Sequence, residues 1–128
     1  MATVVVEAGR VLLGRRMMEG DCAGLWEFPG GKVEEGESDE EALVREFDEE
    51  FGVPIEPLVL IGETGFVHAG TRRTLAAWAC RLGIEKRLRL RAHLEYRWCL
   101  PEETRGLDLV ESDERLLPRI IEWMSGTR

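Results

Sequence analysis

GKVEEGESDEEALVREFDEEFGV, Gly31 to Val53, is a glycine-led loop that hands over to a short and heavily acidic helix. Ser38 with Glu41 three residues on is a capping box, in which each side chain accepts a backbone N–H of the first turn. Gly52 and then Pro54 close the far end, so the spacing predicts a helix from Asp39 to Phe51. Along that helix Leu43, Val44, Phe47 and Phe51 form an apolar stripe, and Glu46, Glu49 and Glu50 form an acidic stripe beside it. Arg45, Asp48 and Glu41 fall on the remaining arc, expected to face water. Ala42 lies within the acidic arc, where its small size leaves room for something to approach.

Like charges at i and i+4 cost a helix about 0.2–0.5 kcal/mol per pair, so stability alone would not select this arrangement. Hard divalent cations take oxygen ligands, and Mg²⁺ is usually shared between a few carboxylates, waters and substrate phosphates. The cluster is therefore either a solvated acidic face, the common fate of such runs, or a metal seat beside the core. Spacing beyond the helix favours the seat. Gly31, Glu37, Arg45, Glu46, Phe47, Glu49, Glu50, Gly52 and Val53 fill every defined place of the pattern G-x5-E-x7-R-E-U-x-E-E-x-G-U, where U is a bulky apolar residue. A calcium loop fails on spacing, since no D-x-[DN]-x-[DN]-G run is present.

With that pattern the chain resembles the Nudix hydrolases, and among them the MutT-like branch that cleaves nucleoside triphosphates. The likeness extends over nearly the whole chain, more loosely outside the box. It implies an α/β fold, an α/β/α sandwich with a mixed β-sheet carrying the loop–helix–loop, and hydrolysis of a nucleoside diphosphate linked to another group with Mg²⁺ or Mn²⁺. It further implies that Glu46, Glu49, Glu50 and the carbonyl of Gly30 hold the metal, that Arg16 grips phosphate, that Phe28 lies near the base and that Asp113 reads the base edge. In the MutT-like branch a loop ahead of the tryptophan matching Trp98 often adds one more acid. Here its usual places hold Ala92 and His93, and the nearest acid is Glu95. Glu46 comes first, and Glu95 second, as the catalytic group that takes the proton from water.

Residue chemistry leaves several of these roles open. Arg15 and Arg16 end the second strand of a hairpin expected from Thr3–Val6, a turn at 7–10 and an apolar run from Val11. They are solubility charges, or one offers its fork of donors to phosphate. Trp26 and Phe28 alternate with Leu25 and Glu27, so one aromatic faces a pocket or both face the core. Gly30 and Gly31 permit close backbone approach to an ion or phosphate. Lys32 meets phosphate as a point charge or is simply solvated, and Glu37 with Arg45 braces the loop against the helix. His68 is a surface histidine or part of a pocket that Arg72 and Arg73 extend. His93 is a base near neutral pH or a structural hydrogen-bonding group. Asp113 is a helix N-cap, or an ionised acceptor suited to a base presenting an exocyclic amine or a protonated ring nitrogen.

At 128 residues the chain is expected to form one domain, 1–128, with a single core. A net charge of −8 argues against a nucleic-acid polymer, which demands an extended basic surface, whereas one nucleotide needs only a local basic spot. No apolar run is long enough to cross a membrane and no export signal opens the sequence, so a cytoplasmic place is expected. Cys22, Cys80 and Cys99 lack metal-site spacing, and the last two sit in strand-like settings that suggest buried thiols. Leu58–Thr64 and Thr74–Leu82 are expected strands, and Lys86–Arg91 alternates as a charge-protected edge strand. Pro118 interrupts the start of a last amphipathic helix.

The reaction expected is attack at the β-phosphorus, giving a nucleoside monophosphate and pyrophosphate. Other readings keep the site and change the substrate to a nucleotide sugar, ADP-ribose or dinucleoside polyphosphate, or keep the fold as a silent nucleotide sensor. No acid of the box is missing, as it would be in a silent relative. The chain acts as a monomer or as a homodimer.

Overall fold

The computed structural model describes residues 1–126. The β-branched run at the start forms β1 (Ala2–Glu7), which turns through Ala8 and Gly9, both at positive φ (52° and 76°), into β2 (Arg10–Arg16). Two left-handed residues match the twist of the strands they join, and the register Val6 to Val11 and Glu7 to Arg10 follows. Then come β3 (Trp26–Glu27), α1 (Asp39–Phe51), β4 (Ile55–His68), β5 (Thr71–Leu82), β6 (His93–Cys99), α2 (Pro101–Thr104) and α3 (Glu111–Gly126). The sheet runs β3-β2-β1-β5-β4, with β6 on β2. It is mixed, because β1 and β5 are parallel and the other pairs antiparallel.

Both faces of the sheet are covered, which is why β1 reads as a continuous apolar run rather than an alternating one. Val4, Leu13, Phe28 and Ala77 point into one core with Leu116 and Ile120 of α3, and Val5, Leu12 and Cys80 into a second with Leu43, Phe47 and Phe51 of α1. This is the α/β/α sandwich, and the single core expected from the length is divided by the sheet into two. No helix among the described residues is long and apolar enough to cross a membrane.

Four local expectations are corrected. The strands β4 and β5 run well past Thr64 and Thr74 and meet at a second tight turn, Ala69 and Gly70 (φ 50° and 78°), so His68, Arg72 and Arg73 belong to strands rather than to a loop. Lys86–Arg91 is not a strand. It crosses the carboxyl end of α1, where the Arg89 and Arg91 N–H groups donate to the carbonyls of Phe51 (2.9 Å) and Glu50 (3.2 Å) and Arg91 Nη1 to that of Asp48 (3.1 Å). The helix has no basic residue in its own last turn, and this segment supplies both donors and positive charge to its free carbonyls. The buried arc of α1 is turned towards its acids: Val44 is exposed, while Ala42 and Glu50 are buried. Finally, α3 begins at Glu111 and passes through Pro118, which lies on its exposed side where water can serve the carbonyl that loses its partner.

Candidate active site

Two clefts adjoin on the molecule. The larger, about 930 Å³, is lined among others by Phe28, Lys32, His68, Arg72 and Asp113, and the smaller, about 370 Å³, by Glu19, Glu46, Glu49, Glu50, Ala92 and His93. Arg16, Glu27 and Gly30 line both and so form their common wall.

The capping box and the αL residue at Gly52 fix the ends of α1, and the loop before it is pinned by Arg45. The Arg45 guanidinium grips Glu37 through two bonds (2.6 and 2.9 Å), reaches Glu46 (3.0 Å) and Glu49 (3.3 Å), and donates to the Lys32 carbonyl (3.0 Å). These bonds raise the Arg45 pKa, the Glu37 bond most, and lower that of Glu37. A side chain on Gly31 would run into the Glu46 carboxylate, and one on Gly30 into the Met1 backbone carbonyl, so Gly31 lets the loop lie against Glu46 and Gly30 lets it lie against the amino terminus.

Glu50 is the deepest acid of the smaller cleft, 8% exposed, and its Oε1 has no hydrogen-bond partner. Burial, then the charges of Glu27 and Glu46, push its carboxyl up to about 8, against a lowering by the Gly30 backbone. Asp113 lies in the first turn of α3 rather than at its N-cap, and its Oδ2 accepts the Phe28 N–H at 2.9 Å. Burial pushes it up to about 7 in spite of that bond. The ionised state expected for it is thus only partly held at neutral pH. Trp26 and Phe28 both belong to the core next to α3, with Phe28 also reaching the larger cleft.

Of the paired arginines only Arg16 reaches the clefts, bonded to Glu27 (2.9 Å) and the Asp21 carbonyl (3.2 Å). Arg15 faces the other side and pairs with Glu95 at 3.3 Å. Glu95, expected as the second candidate for the base, is therefore not brought to the acids and lines neither cleft. The reason is a bulge: Arg15 pairs with Glu95 but Arg16 with His93, leaving Leu94 unpaired and turning His93 and Glu95 to opposite faces. Glu27 was the acid that sequence spacing left unassigned. Its one signal is the alternation in Trp26-Glu27-Phe28, which puts it on the face opposite two core aromatics.

The donor set of the smaller cleft fits a hard divalent cation. The carboxylates of Glu19, Glu27, Glu46, Glu49 and Glu50 line the cleft, with His93 and Met17 beside them, and the Glu50 Oε1 is buried without a hydrogen-bond partner, His93 Nε2 standing 3.8 Å away. Among the described residues no three acid, histidine or cysteine side chains converge closely enough to hold an ion as they stand. Arg45 engages Glu46 and Glu49, so holding an ion there means turning those two carboxylates from the guanidinium.

A mixed sheet between two helices, with acids of a G-x5-E-x7-R-E-U-x-E-E-x-G-U box beside a nucleotide-sized cleft, defines the class: this chain belongs to the Nudix hydrolase family, and the family profile described as NUDIX domain matches residues 1–120. Among curated relatives it is 37% identical over 121 residues to the CTP pyrophosphohydrolase of Escherichia coli (strain K12), spanning 91% of this chain and 86% of that one. It is 32% identical over 129 residues to the putative 8-oxo-dGTP diphosphatase 2 of Mycobacterium tuberculosis (strain ATCC 25618 / H37Rv), spanning 99% and 90%. Its fold superposes on the crystal structure of the MutT protein from Methanosarcina mazei Go1 with a TM-score of 0.79 and 27% identity, covering 99% of this chain and 93% of that one.

Proposed function

We propose that this chain is a Mg²⁺-dependent pyrophosphohydrolase, with Mn²⁺ as a substitute, that cleaves a nucleoside triphosphate of plain, oxidised or otherwise modified base to the monophosphate and pyrophosphate. The observation that carries the reading is the meeting of a carboxylate-rich cleft with a cleft of about 930 Å³ along one wall. That volume suits a nucleotide-sized ligand. The relatives' names, one for CTP and one for 8-oxo-dGTP, support triphosphates over nucleotide sugars.

Glu46, Glu49, Glu50 and the Gly30 carbonyl are the residues that would hold the ion. Bound there, it would neutralise phosphate charge and lower the pKa of water. Arg16 offers its fork to the phosphate chain and Lys32 a point charge, Phe28 lies against the base, and Asp113 reads its edge. Glu46 takes the proton from the attacking water, a task for which Glu95 stands on the wrong face. Because catalysis of this kind is mostly positioning and charge neutralisation, the chain needs no covalent nucleophile.

The test is the product released from a labelled triphosphate in Mg²⁺. Monophosphate and pyrophosphate are expected, with the oxygen of ¹⁸O-labelled water in the pyrophosphate. Inorganic phosphate with a diphosphate would overturn cleavage of the α–β bridge, and label in the monophosphate would overturn the assignment to the β-phosphorus. A panel of CTP, 5-methyl-CTP, 8-oxo-dGTP, ADP-ribose and a nucleotide sugar then fixes the substrate class.

A further inference from the structure

Glu27, at the wall between the clefts, and His93, beside it in the smaller cleft, have no part in the reaction just described. The two residues are 66 apart in sequence and meet at 2.8 Å, His93 Nε2 against Glu27 Oε2. The other carboxylate oxygen of Glu27 accepts from Arg16 Nη1 at 2.9 Å. Arg16 Nε in turn donates to the Asp21 carbonyl, which leaves Nη2 without a partner among the described residues, in a side chain that lines both clefts.

The backing of this chain of bonds is built with care. His93 is 4% exposed and its ring lies stacked on Phe51, centroids 5.4 Å apart and planes 12° apart. The ring fits only because residue 14, the strand partner of Glu27, is glycine: a side chain there would sit 2.6 Å from the imidazole. Glu49 also meets Arg45 through both oxygens but is exposed and free to turn. The largely buried Glu27 is instead held by two different residues, one on each oxygen, and is poorly placed to ligate an ion. It is well placed to fix a guanidinium, whose planar fork loses little freedom once held at two nitrogens.

We propose that Glu27, braced by His93, is a positioning residue that presents Arg16 to the phosphate chain at the junction of the clefts and holds no metal ion itself. The proposal rests on reading the clefts as a triphosphate site. Pre-orientation of this kind acts on substrate binding more than on the chemical step.

The experiment is a double-mutant cycle on Arg16→Gln and Glu27→Gln, read in steady-state kinetics with the best triphosphate of the panel and in Mn²⁺ binding to the nucleotide-free protein by electron paramagnetic resonance. Glu27→Gln is expected to raise KM about tenfold with kcat changed less than about threefold, and to have no further effect once Arg16 is Gln. Mn²⁺ affinity is expected to stay within about twofold. A tenfold loss of Mn²⁺ affinity, or an equal rise in KM in the Arg16→Gln background, overturns the proposal. If Glu27→Gln melts below the assay temperature, the His93 pair carries the test: His93→Leu raises KM and His93→Gln, which keeps a donor for Glu27, restores it, whereas equal KM for the two overturns it. Should the wild-type protein bind a triphosphate analogue yet turn nothing over, the functional reading fails, and the cycle is read from analogue affinity alone.

Discussion

The Glu50 carboxyl is held where a carboxylate is least comfortable, with burial first and the neighbouring acids second pushing it from 4.5 up to about 8. Between those values the folded protein carries a proton that the unfolded chain has lost, so the metal-free protein loses stability as pH rises through that window. Glu50→Gln removes the penalty. Its melting temperature without metal is expected to exceed that of the wild type at pH 8, each pKa unit being worth about 1.4 kcal/mol, and to match it near pH 4. Turnover should nonetheless fall by more than about 100-fold, as expected for a lost ion-holding oxygen. Unchanged turnover would show that the acidic cluster takes no part in the chemistry. Asp113, pushed up to about 7, gives the second prediction. Below that pH its neutral form also donates, and above it the carboxylate only accepts. The ratio of kcat/KM for CTP over UTP should therefore climb between pH 6 and 8 and stay flat in Asp113→Asn. A flat ratio in the wild type would remove Asp113 from base reading.

Among the elements, α1 matters most because it carries the acids, and its ends are fixed by a handful of local bonds. Ser38 Oγ accepts the Glu41 N–H (3.1 Å), Glu41 Oε1 accepts the Ser38 N–H (3.0 Å), and Gly52 at φ 70° donates to the Asp48 carbonyl (2.8 Å). In urea unfolding Ser38→Ala should cost about 1 kcal/mol. Gly52→Ala should cost about 1–2 kcal/mol for the left-handed backbone, with the new methyl also pressed to 3.0 Å from the Arg91 guanidinium. Equal stability of Gly52→Ala and wild type would mean that the cap is dispensable. The limits expected from these caps, Asp39 and Phe51, are the observed ones. The alternation of Lys86–Arg91 does not distinguish a strand from another extended segment lying against the protein. What covers it is the end of a helix some forty residues upstream, not a neighbouring strand.

At the scale of the whole molecule, the sheet separates two cores that share its strands residue by residue: Val4 and Leu13 on one side, Val5 and Leu12 on the other. Such sharing should make unfolding a single event. Phe47→Ala beneath α1 and Leu116→Ala beneath α3 are expected to cost about 3–5 and 2–5 kcal/mol, and each to shift one common transition seen by circular dichroism and by tryptophan fluorescence. Two separated transitions in either variant would show that the halves melt independently.

Sequence alone determined the features whose causes lie within a few residues: the helix and its caps, the first hairpin turn, and the box whose spacing names the family. It also marked Arg16, Glu46, Glu49 and Glu50 as residues that belong beside one another. Only the tertiary structure decided which acid is desolvated, because burial of Glu50 depends on how α1 is rotated against the sheet. Only it placed Glu27 against His93, and turned Glu95 away through an unpaired Leu94. Spacing along a chain reports local geometry, whereas cross-strand register and the loss of water around a charge are set by segments that meet only on folding.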